Sequence, residues 1–223
     1  MADLDGPRLE PKSRTAKQLV VFLHGYGADG NDLIDIGRAW QELLPDAAFV
    51  SPHAPERCAQ APVGRQWFGL TMRDPHERWR GVTAAGPGLE KFLTAELTRR
   101  KLTPDRLALV GFSQGTMMAV HVALRRAVPP AAVIGYSGML VVPNDGPPQA
   151  VAPEITARPP ILLVHGDADE VIPVQALTMS AQGLAALEVP VEWHISPGIG
   201  HGIDTEGLHH GGEFLARRFR SQR

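Results

Sequence analysis

The sequence predicts an α/β fold in which a mostly parallel sheet is covered by helices on both faces. Short apolar runs rich in Val, Ile, Leu and Phe alternate along the chain with amphipathic stretches. Continuous apolar runs are typical of parallel strands buried on both faces, and repeated strand and helix patterns indicate crossover units. A length of 223 residues fits a single domain over 1–223, in which 1–16 form a polar N-terminal segment.

Six apolar runs have the length and composition of buried strands. In chain order they are 18–24, 47–51, 106–111, 132–136, 160–165 and 191–195. The stretches between most of them carry apolar residues at helical spacing, which predicts the crossover helices of a doubly wound sheet.

The first helix is predicted over 32–44, with Asn31 or Asp29 as its N-terminal cap. The second carries Leu89 and Leu93 on its apolar face, and Pro87 is expected near its start, where the missing N–H does no harm. Later helices are predicted to begin near Gln114, Val174 and Glu206.

Two stretches, 53–88 and 143–160, lack periodicity and are predicted to be surface loops. Loops this long in compact domains are commonly functional. Trp67 and Phe68 on the first one have two interpretations: they wall a binding pocket, or they bury the loop against the body of the protein.

Charge and cysteine content exclude several classes of function. The chain has 22 basic and 24 acidic side chains, so no strong field favours nucleic acid as a partner.

The single Cys58 and an acidic start without an apolar leader indicate a cytoplasmic protein. The longest uncharged stretch, 107–124, contains polar residues, which argues against a span or a stable membrane anchor. The sequence leaves open whether the protein forms a homodimer.

The sequence GFSQG, residues 111–115, follows a predicted strand and precedes a predicted helix. A hydrolase serine projects from a sharp turn at such a junction, and glycine two positions to either side relieves the crowding. Ser113 is therefore the predicted nucleophile. A serine hydroxyl needs a general base, and the base needs an acid to hold its tautomer.

Candidates for the acid and the base follow in the chain order expected for this fold. Asp167 and Asp169 come directly after the strand PILLVH, and His201 lies in the glycine-flanked loop GIGHGI. His24 and His165 stand at strand ends, where a structural hydrogen bond to a loop is the better interpretation, and His209 and His210 fall on the last helix. His201 is the predicted base.

The oxyanion of a tetrahedral intermediate needs backbone donors. One is expected from the amide of Gln114, which follows the nucleophile, and the other from the glycine-bearing loop 24–30 after the first long strand. In that loop Tyr26 has the natural donor position. No residues have metal-ligand spacing, so neither a metal nor another cofactor is expected.

Four motifs, LHGYGADG, GFSQG, HGDADEVIP and GIGHGI, occur in this order from residue 23 onward. With them the chain resembles the carboxylesterase, lysophospholipase and acyl-protein thioesterase family of α/β-hydrolases, and GHGI and HGYGADGNDL are similar to its bacterial esterase branch. The resemblance implies an α/β-hydrolase fold without a helical cap. It also implies Asp169, rather than Asp167, as the acid beside His201 and Ser113.

The expected substrate is a small ester with a short to medium acyl chain, hydrolysed through a covalent acyl-enzyme. Lysophospholipid or thioester hydrolysis is the alternative within the same chemistry, and a non-catalytic ligand-binding module is the alternative outside it. Apolar residues on the predicted loops are expected to line the acyl groove. They are Trp67, Phe68, Leu70, Met139, Leu140, Val171 and Ile199.

Overall fold

A computed structural model of the chain describes residues 4–58, 60–71, 73–74 and 76–221. Within them, each of the six predicted strands is present, with its ends shifted by at most one residue. Three two-residue strands are additional, because a run so short leaves no periodic signal. The strands are β1 (Arg8–Leu9), β2 (Gln18–Leu23), β3 (Ala47–Val50), β4 (Glu56–Arg57), β5 (Arg65–Gln66), β6 (Leu107–Phe112), β7 (Ala132–Tyr136), β8 (Ile161–Gly166) and β9 (Val191–Ser196).

Seven of these strands form one sheet in the order β1-β3-β2-β6-β7-β8-β9. The pairs from β3 through β9 are all parallel, and only β1 runs antiparallel, against β3. β1 comes from the polar N-terminal segment, and β4 and β5 pair separately as a small hairpin in the first long loop. β6, which leads to Ser113, lies in the interior of the sheet between β2 and β7.

Helices cover both faces of the sheet, as predicted. One buried apolar cluster lies between the sheet and α2, α3 and α4, and a second lies between the sheet and α1 and α5. Among the described residues, no helix has the length and apolarity needed to cross a membrane. The helices are α1 (Ile34–Trp40), α2 (Glu77–Arg100), α3 (Gln114–Ala123), α4 (Gln175–Ala186) and α5 (Thr205–Arg220).

The prediction for the start of the second helix was wrong. α2 begins at Glu77, and Pro87 lies in its interior. Pro87 and Thr83, whose carbonyl loses its helical partner, both face solvent. Water can satisfy that carbonyl, and the buried side of α2 keeps its packing through Val82 and Leu89. The first loop is correspondingly shorter than the sequence predicted.

The predicted cap of the first helix was also wrong. The residue before α1 is Leu33, and it makes no capping hydrogen bond through its side chain. Asp29 instead accepts a hydrogen bond from the amide of Asn31 at 2.7 Å, which closes a local turn before the helix begins. Asp and Asn side chains commonly hydrogen-bond to a nearby backbone amide in a turn instead of capping a helix. As a result, α1 is shorter than the apolar periodicity predicted.

The last helix, α5, packs closely on the sheet through glycine. A Cβ atom at Gly211 would lie 2.0 Å from the hydroxyl oxygen of Tyr136 and 3.0 Å from the ring of Trp40. Tyr136 is fully buried, and its hydroxyl donates a hydrogen bond to the Gly207 carbonyl at 3.1 Å. Neither ring can move away without disturbing the core, so this helix position requires glycine.

We predict that Gly211→Ala lowers the free energy of unfolding by about 1–3 kcal/mol, because the added methyl overpacks a filled core. Gly86→Ala is the matched control, since a Cβ at that helix position meets nothing closer than 3.5 Å. We expect Gly86→Ala to change the free energy of unfolding less than Gly211→Ala does, because the gain of a helical Ala over Gly is opposed only by crowding of its Cβ against the following Pro87. Urea unfolding followed by circular dichroism measures both, and equal stabilities would contradict the packing argument.

Candidate active site

Ser113 occupies a strained turn between β6 and α3. Its backbone has φ 53° and ψ −114°, a conformation that non-glycine residues rarely adopt. The Ser113 amide donates a hydrogen bond to the Tyr136 carbonyl at 2.9 Å, which fixes the turn to the adjacent strand β7. Strain held by surrounding structure is typical of functional turns.

Three glycines make room for this turn. A Cβ at Gly111 would lie 2.4 Å from backbone atoms of Gly115, and one at Gly115 would lie 1.8 Å from the Leu23 carbonyl oxygen. A Cβ at Gly138 would lie 2.9 Å from the Ser113 carbonyl oxygen. The two glycines of the sequence motif therefore allow α3 to approach β2 and β6, and Gly138 serves the same turn from the end of β7.

His201 and Asp169 face each other across two loops. Nδ1 of His201 is 2.7 Å from Oδ2 of Asp169, and the Asp169 side chain is fully buried. The ring of His201 packs against Phe112, the residue before Ser113, at a centroid distance of 5.0 Å. The fold thus brings the predicted nucleophile, base and acid to one edge of the sheet, at the carboxyl ends of β6, β8 and β9.

Backbone amides orient the Asp169 carboxylate. Its Oδ1 accepts hydrogen bonds from the amides of Val171 and Ile172, both at 2.9 Å. Burial opposes ionisation of this carboxyl, but the hydrogen bonds from His201 and the two amides outweigh it and lower the pKa of Asp169 below its ordinary value. The group is therefore held as an anion beside the imidazole.

Asp167 has a different environment from Asp169. Its Oδ1 accepts a hydrogen bond from the Gly198 amide at 2.6 Å, in the loop that leads to His201. Asp167 is exposed, whereas Asp169 is buried. The structure therefore gives the two neighbouring acids separate partners: Asp169 contacts the imidazole and Asp167 the backbone of its loop.

His24 and His165 have the structural hydrogen bonds that the sequence analysis assigned to them. Nε2 of His165 lies 2.7 Å from the Ile172 carbonyl oxygen and 3.2 Å from Oδ2 of Asp169. His24 accepts a hydrogen bond from the Ala54 amide at 3.0 Å, and burial lowers the pKa of His24 to about 4. Both are buried supports of the loops that surround Ser113.

The amides of Tyr26 and Gln114 are available as hydrogen-bond donors. Within the described part of the chain, neither amide has a hydrogen-bond partner, and both residues line the cavity that contains Ser113. The turn at Gly27 has φ 82°, and its amide donates to the Arg65 carbonyl at 2.9 Å, which fixes the Tyr26 loop to the hairpin loop. Tyr26 and Gln114 reach the cavity from two separate parts of the chain, the loop after β2 and the start of α3.

Trp67 and Phe68 do not line this cavity, so the expectation that they form the acyl groove is corrected. Both side chains are buried behind Gln114. The side chain of Gln114 accepts a hydrogen bond from the Trp67 amide at 2.9 Å and donates one to the Phe68 carbonyl at 2.8 Å. The Trp67 indole N–H also donates to the His24 carbonyl at 3.0 Å. These aromatic residues bury the loop, and they also line a separate cavity of about 240 Å³ whose lining does not include Ser113.

An apolar cavity of about 310 Å³ opens beside Ser113. Of the remaining predicted groove residues, Leu70, Met139 and Val171 line it, whereas Leu140 lines an adjoining cavity of about 360 Å³. Ile199 lines neither, because it lies in the His201 loop, where its carbonyl accepts a hydrogen bond from the Ala168 amide. The sequence analysis missed six further lining residues: Gln60, Arg78, Met117, Ile172, Pro173 and Ala176.

The predicted helix start near Gln114 could have identified one of those six. Met117 lies in the first turn of α3, and a helix that begins directly after the serine brings its first turn to the same site. Ala176 and Pro173 lie at the start of α4, and only the folded chain shows that this helix borders the cavity.

The parallel sheet, its covering helices and the serine turn after β6 define an α/β-hydrolase fold. The chain belongs to the phospholipase/carboxylesterase family, whose sequence model matches residues 4–218. It is therefore a member of a family of hydrolases, as the four motifs implied.

The chain is similar to two kinds of relative, an esterase and acyl-protein thioesterases. The solved structure of esterase PE8 is 41% identical, has a TM-score of 0.92, and covers 97% of this chain and 99% of its own. Acyl-protein thioesterase 1 of Gibberella zeae is 24% identical over 95% of both chains, and that of Neurospora crassa is 26% identical over 95% of this chain and 91% of its own. The match to each relative is nearly full length.

We predict that Gln114→Ala lowers the free energy of unfolding by about 1–3 kcal/mol, because it leaves the buried Trp67 amide and Phe68 carbonyl without partners. Gln60→Ala is the matched control, because Gln60 lines the same cavity but is exposed. Chemical denaturation compares the variants with the parent. Equal stability of the two variants would contradict a structural role for the Gln114 side chain.

Proposed function

We propose that this chain is a serine carboxylic-ester hydrolase in which Ser113, His201 and Asp169 form the catalytic triad. The observation that carries the proposal is the 2.7 Å contact between His201 and a buried Asp169, with the His201 ring packed on the residue before a serine in a strained turn. Membership in a hydrolase family and the similarity to esterase PE8 support it further.

In the proposed acylation step, Ser113 Oγ attacks the carbonyl carbon of the ester. Because Nδ1 of His201 is engaged by Asp169, Nε2 is the nitrogen that takes the serine proton. The Tyr26 and Gln114 amides donate to the oxyanion that forms on the carbonyl oxygen. Collapse of the intermediate breaks the ester C–O bond, and the leaving alcohol takes the proton from His201.

In the proposed deacylation step, water replaces the alcohol. His201 removes a proton from the water as it attacks the acyl-Ser113 carbonyl, and the same two amides stabilise the second oxyanion. When the intermediate collapses, the proton on His201 passes to Ser113 Oγ and the carboxylic acid leaves. No metal and no other cofactor is required by this sequence of steps.

The cavity beside Ser113 supports a short to medium acyl chain as the substrate group. Its walls are mainly apolar, with Leu70, Met117 and Met139 among the lining residues. A volume of about 310 Å³ lies at the lower end of the range of small-molecule sites. Such a cavity accepts the acyl part of an oxygen ester.

Thioester hydrolysis is the second candidate, because the two fungal relatives are named acyl-protein thioesterases. The proposed acyl-enzyme is the same for a thioester, and only the leaving group differs. A panel of p-nitrophenyl esters and acyl-CoA thioesters of matched chain length distinguishes the candidates by their kcat/KM values.

A fluorophosphonate probe tests the proposal directly. We expect stoichiometric labelling of the parent protein, with the adduct on Ser113 by peptide mass spectrometry, and loss of both labelling and ester hydrolysis in Ser113→Ala. Ser51→Ala is the control, since the buried Ser51 hydroxyl has no hydrogen-bond partner among the described residues. Hydrolysis that survives in Ser113→Ala at the parental rate would overturn the triad.

We predict that Asp169→Asn lowers kcat by about 10⁴. The Val171 and Ile172 amides would hold the oxygen of the new carboxamide, so its NH₂ group would face Nδ1 of His201 and impose the wrong tautomer. Asp167→Asn should have a far smaller effect, because a carboxamide oxygen still accepts the Gly198 hydrogen bond. Turnover of p-nitrophenyl butyrate measures both, and a larger loss in Asp167→Asn would assign the acid to the other residue.

We predict that Ala176→Leu shortens the preferred acyl chain. Ala176 lines both the Ser113 cavity and the adjoining one, so a larger side chain at this position reduces the volume of both. kcat/KM for long-chain esters should fall by at least about tenfold relative to acetate esters, since one methylene group excluded from an apolar site has an effect of this size. Ala185→Leu, on the exposed side of α4, should keep the parental profile. Identical profiles for both variants would place the acyl chain elsewhere.

A further inference from the structure

Strand β9 and helix α5 are joined by polar contacts at both ends of their shared face. At one end, the Ser196 hydroxyl donates to Oδ1 of Asp204 at 2.8 Å, and Asp204 also caps α5. At the other end, the Glu192 carboxylate accepts hydrogen bonds from Arg217 and Arg218, both at 2.8 Å. Every second residue of a strand lies on the same face, so one further residue of β9 belongs to this row.

That residue is His194, and its partners are incomplete. Nε2 of His194 is buried and has no hydrogen-bond partner among the described residues. Across from it on α5 lie Glu206 and His210, four residues apart and therefore on one helix face. The rings of His194 and His210 are 4.3 Å apart, and Nε2 of His210 is 3.7 Å from Oε1 of Glu206.

We propose that His194, Glu206 and His210 bind a divalent transition-metal ion, with Zn²⁺ as the preferred species. One ligand atom from each of the three side chains lies within 4.8 Å of the other two. Zinc bonds to imidazole nitrogen and carboxylate oxygen are about 2.0–2.2 Å long, so a modest closure of the three groups suffices. Glu206 and His210 can make that adjustment because their side chains are 61% and 44% exposed.

The donor set determines the class of metal. Two imidazoles and one carboxylate suit zinc and its transition-metal neighbours, whereas Mg²⁺ and Ca²⁺ prefer sites made entirely of oxygen. Three protein ligands leave a fourth tetrahedral position for water on the exposed side. The ion would also give the buried Nε2 of His194 a partner.

The site spans the ends of the loop that carries His201. That loop leaves β9 after Ser196 and enters α5 at Thr205, so a metal bound to His194 and His210 ties together the two elements from which the loop extends. Binding only to the folded state raises the thermal midpoint as the free ion concentration increases. The proposal therefore concerns stability, and it is independent of the proposed hydrolytic activity.

The test uses untagged, full-length protein stripped with a chelator and titrated with ZnCl₂ near neutral pH in competition with a chromophoric chelator. We expect one equivalent of Zn²⁺ to bind and Tm to rise with added Zn²⁺, with no rise on equal additions of MgCl₂. Hydrolysis of p-nitrophenyl butyrate, measured with and without EDTA, separates the metal site from catalysis, because EDTA should reverse the Tm rise and leave kcat unchanged.

Substitutions of the three proposed ligands test whether the ion binds at this site. His194→Ala, His210→Ala and Glu206→Gln should each weaken Zn²⁺ binding by at least about tenfold, since even outer-shell changes at metal sites have effects of this size. His209→Ala is the matched control, because His209 is exposed on the same helix turn but outside the cluster. It should bind Zn²⁺ like the parent.

Two results would overturn the proposal. One is the absence of stoichiometric Zn²⁺ binding by the parent protein. The other is undiminished binding in His210→Ala and Glu206→Gln, which would place the ion at other residues, such as the pair His201 and Asp169. These two variants change only exposed helix positions, so they keep the test valid if His194→Ala does not fold.

Discussion

The close approach of α3 to the end of the sheet is the constraint on which the site depends. A Cβ at Gly115 would lie 1.8 Å from the Leu23 carbonyl oxygen, so the helix reaches this position only with glycine there. The same approach forces Ser113 into its positive-φ turn and presents its side chain at the sheet edge. It also places Gln114 in the wall of the cavity, while the Gln114 side chain holds the loop of Trp67 and Phe68.

Around that turn the protein orients its polar groups mainly through backbone hydrogen bonds. Two amides hold the Asp169 carboxylate, one amide is held by Asp167, and the Tyr136 carbonyl fixes the serine amide. These backbone groups lie at the ends of strands and cannot reorient freely. The side chains that they bind are therefore held in fixed orientations relative to the sheet. Such preorganisation is what electrostatic stabilisation of an oxyanion requires.

The segment from β9 to α5 combines two kinds of polar organisation. Its loop supplies His201, which faces the buried edge of the sheet, and its outer face carries a row of contacts between strand and helix. The Ser196 to Asp204 contact, with the helix cap it supports, fixes the point where the loop ends. Nε2 of His194 is a buried nitrogen of this row without a hydrogen-bond partner among the described residues, and it faces the cluster in which we propose the zinc site.

The positions of the six long strands, the serine turn and the candidates for acid and base could all be predicted from the sequence, because each depends on a local pattern. Apolar runs mark the strands to within one residue, and glycine spacing marks the turn. The position of Pro87 inside α2 could not be predicted in this way, because the packing of Val82 and Leu89 outweighs the helix-breaking tendency of proline. Tertiary structure alone decided that Trp67 and Phe68 support Gln114, and that Ala176 and Pro173 line the cavity. It also brought His194 to Glu206 and His210, since the side chains that meet across two elements depend on how those elements pack, and no spacing along the chain encodes that.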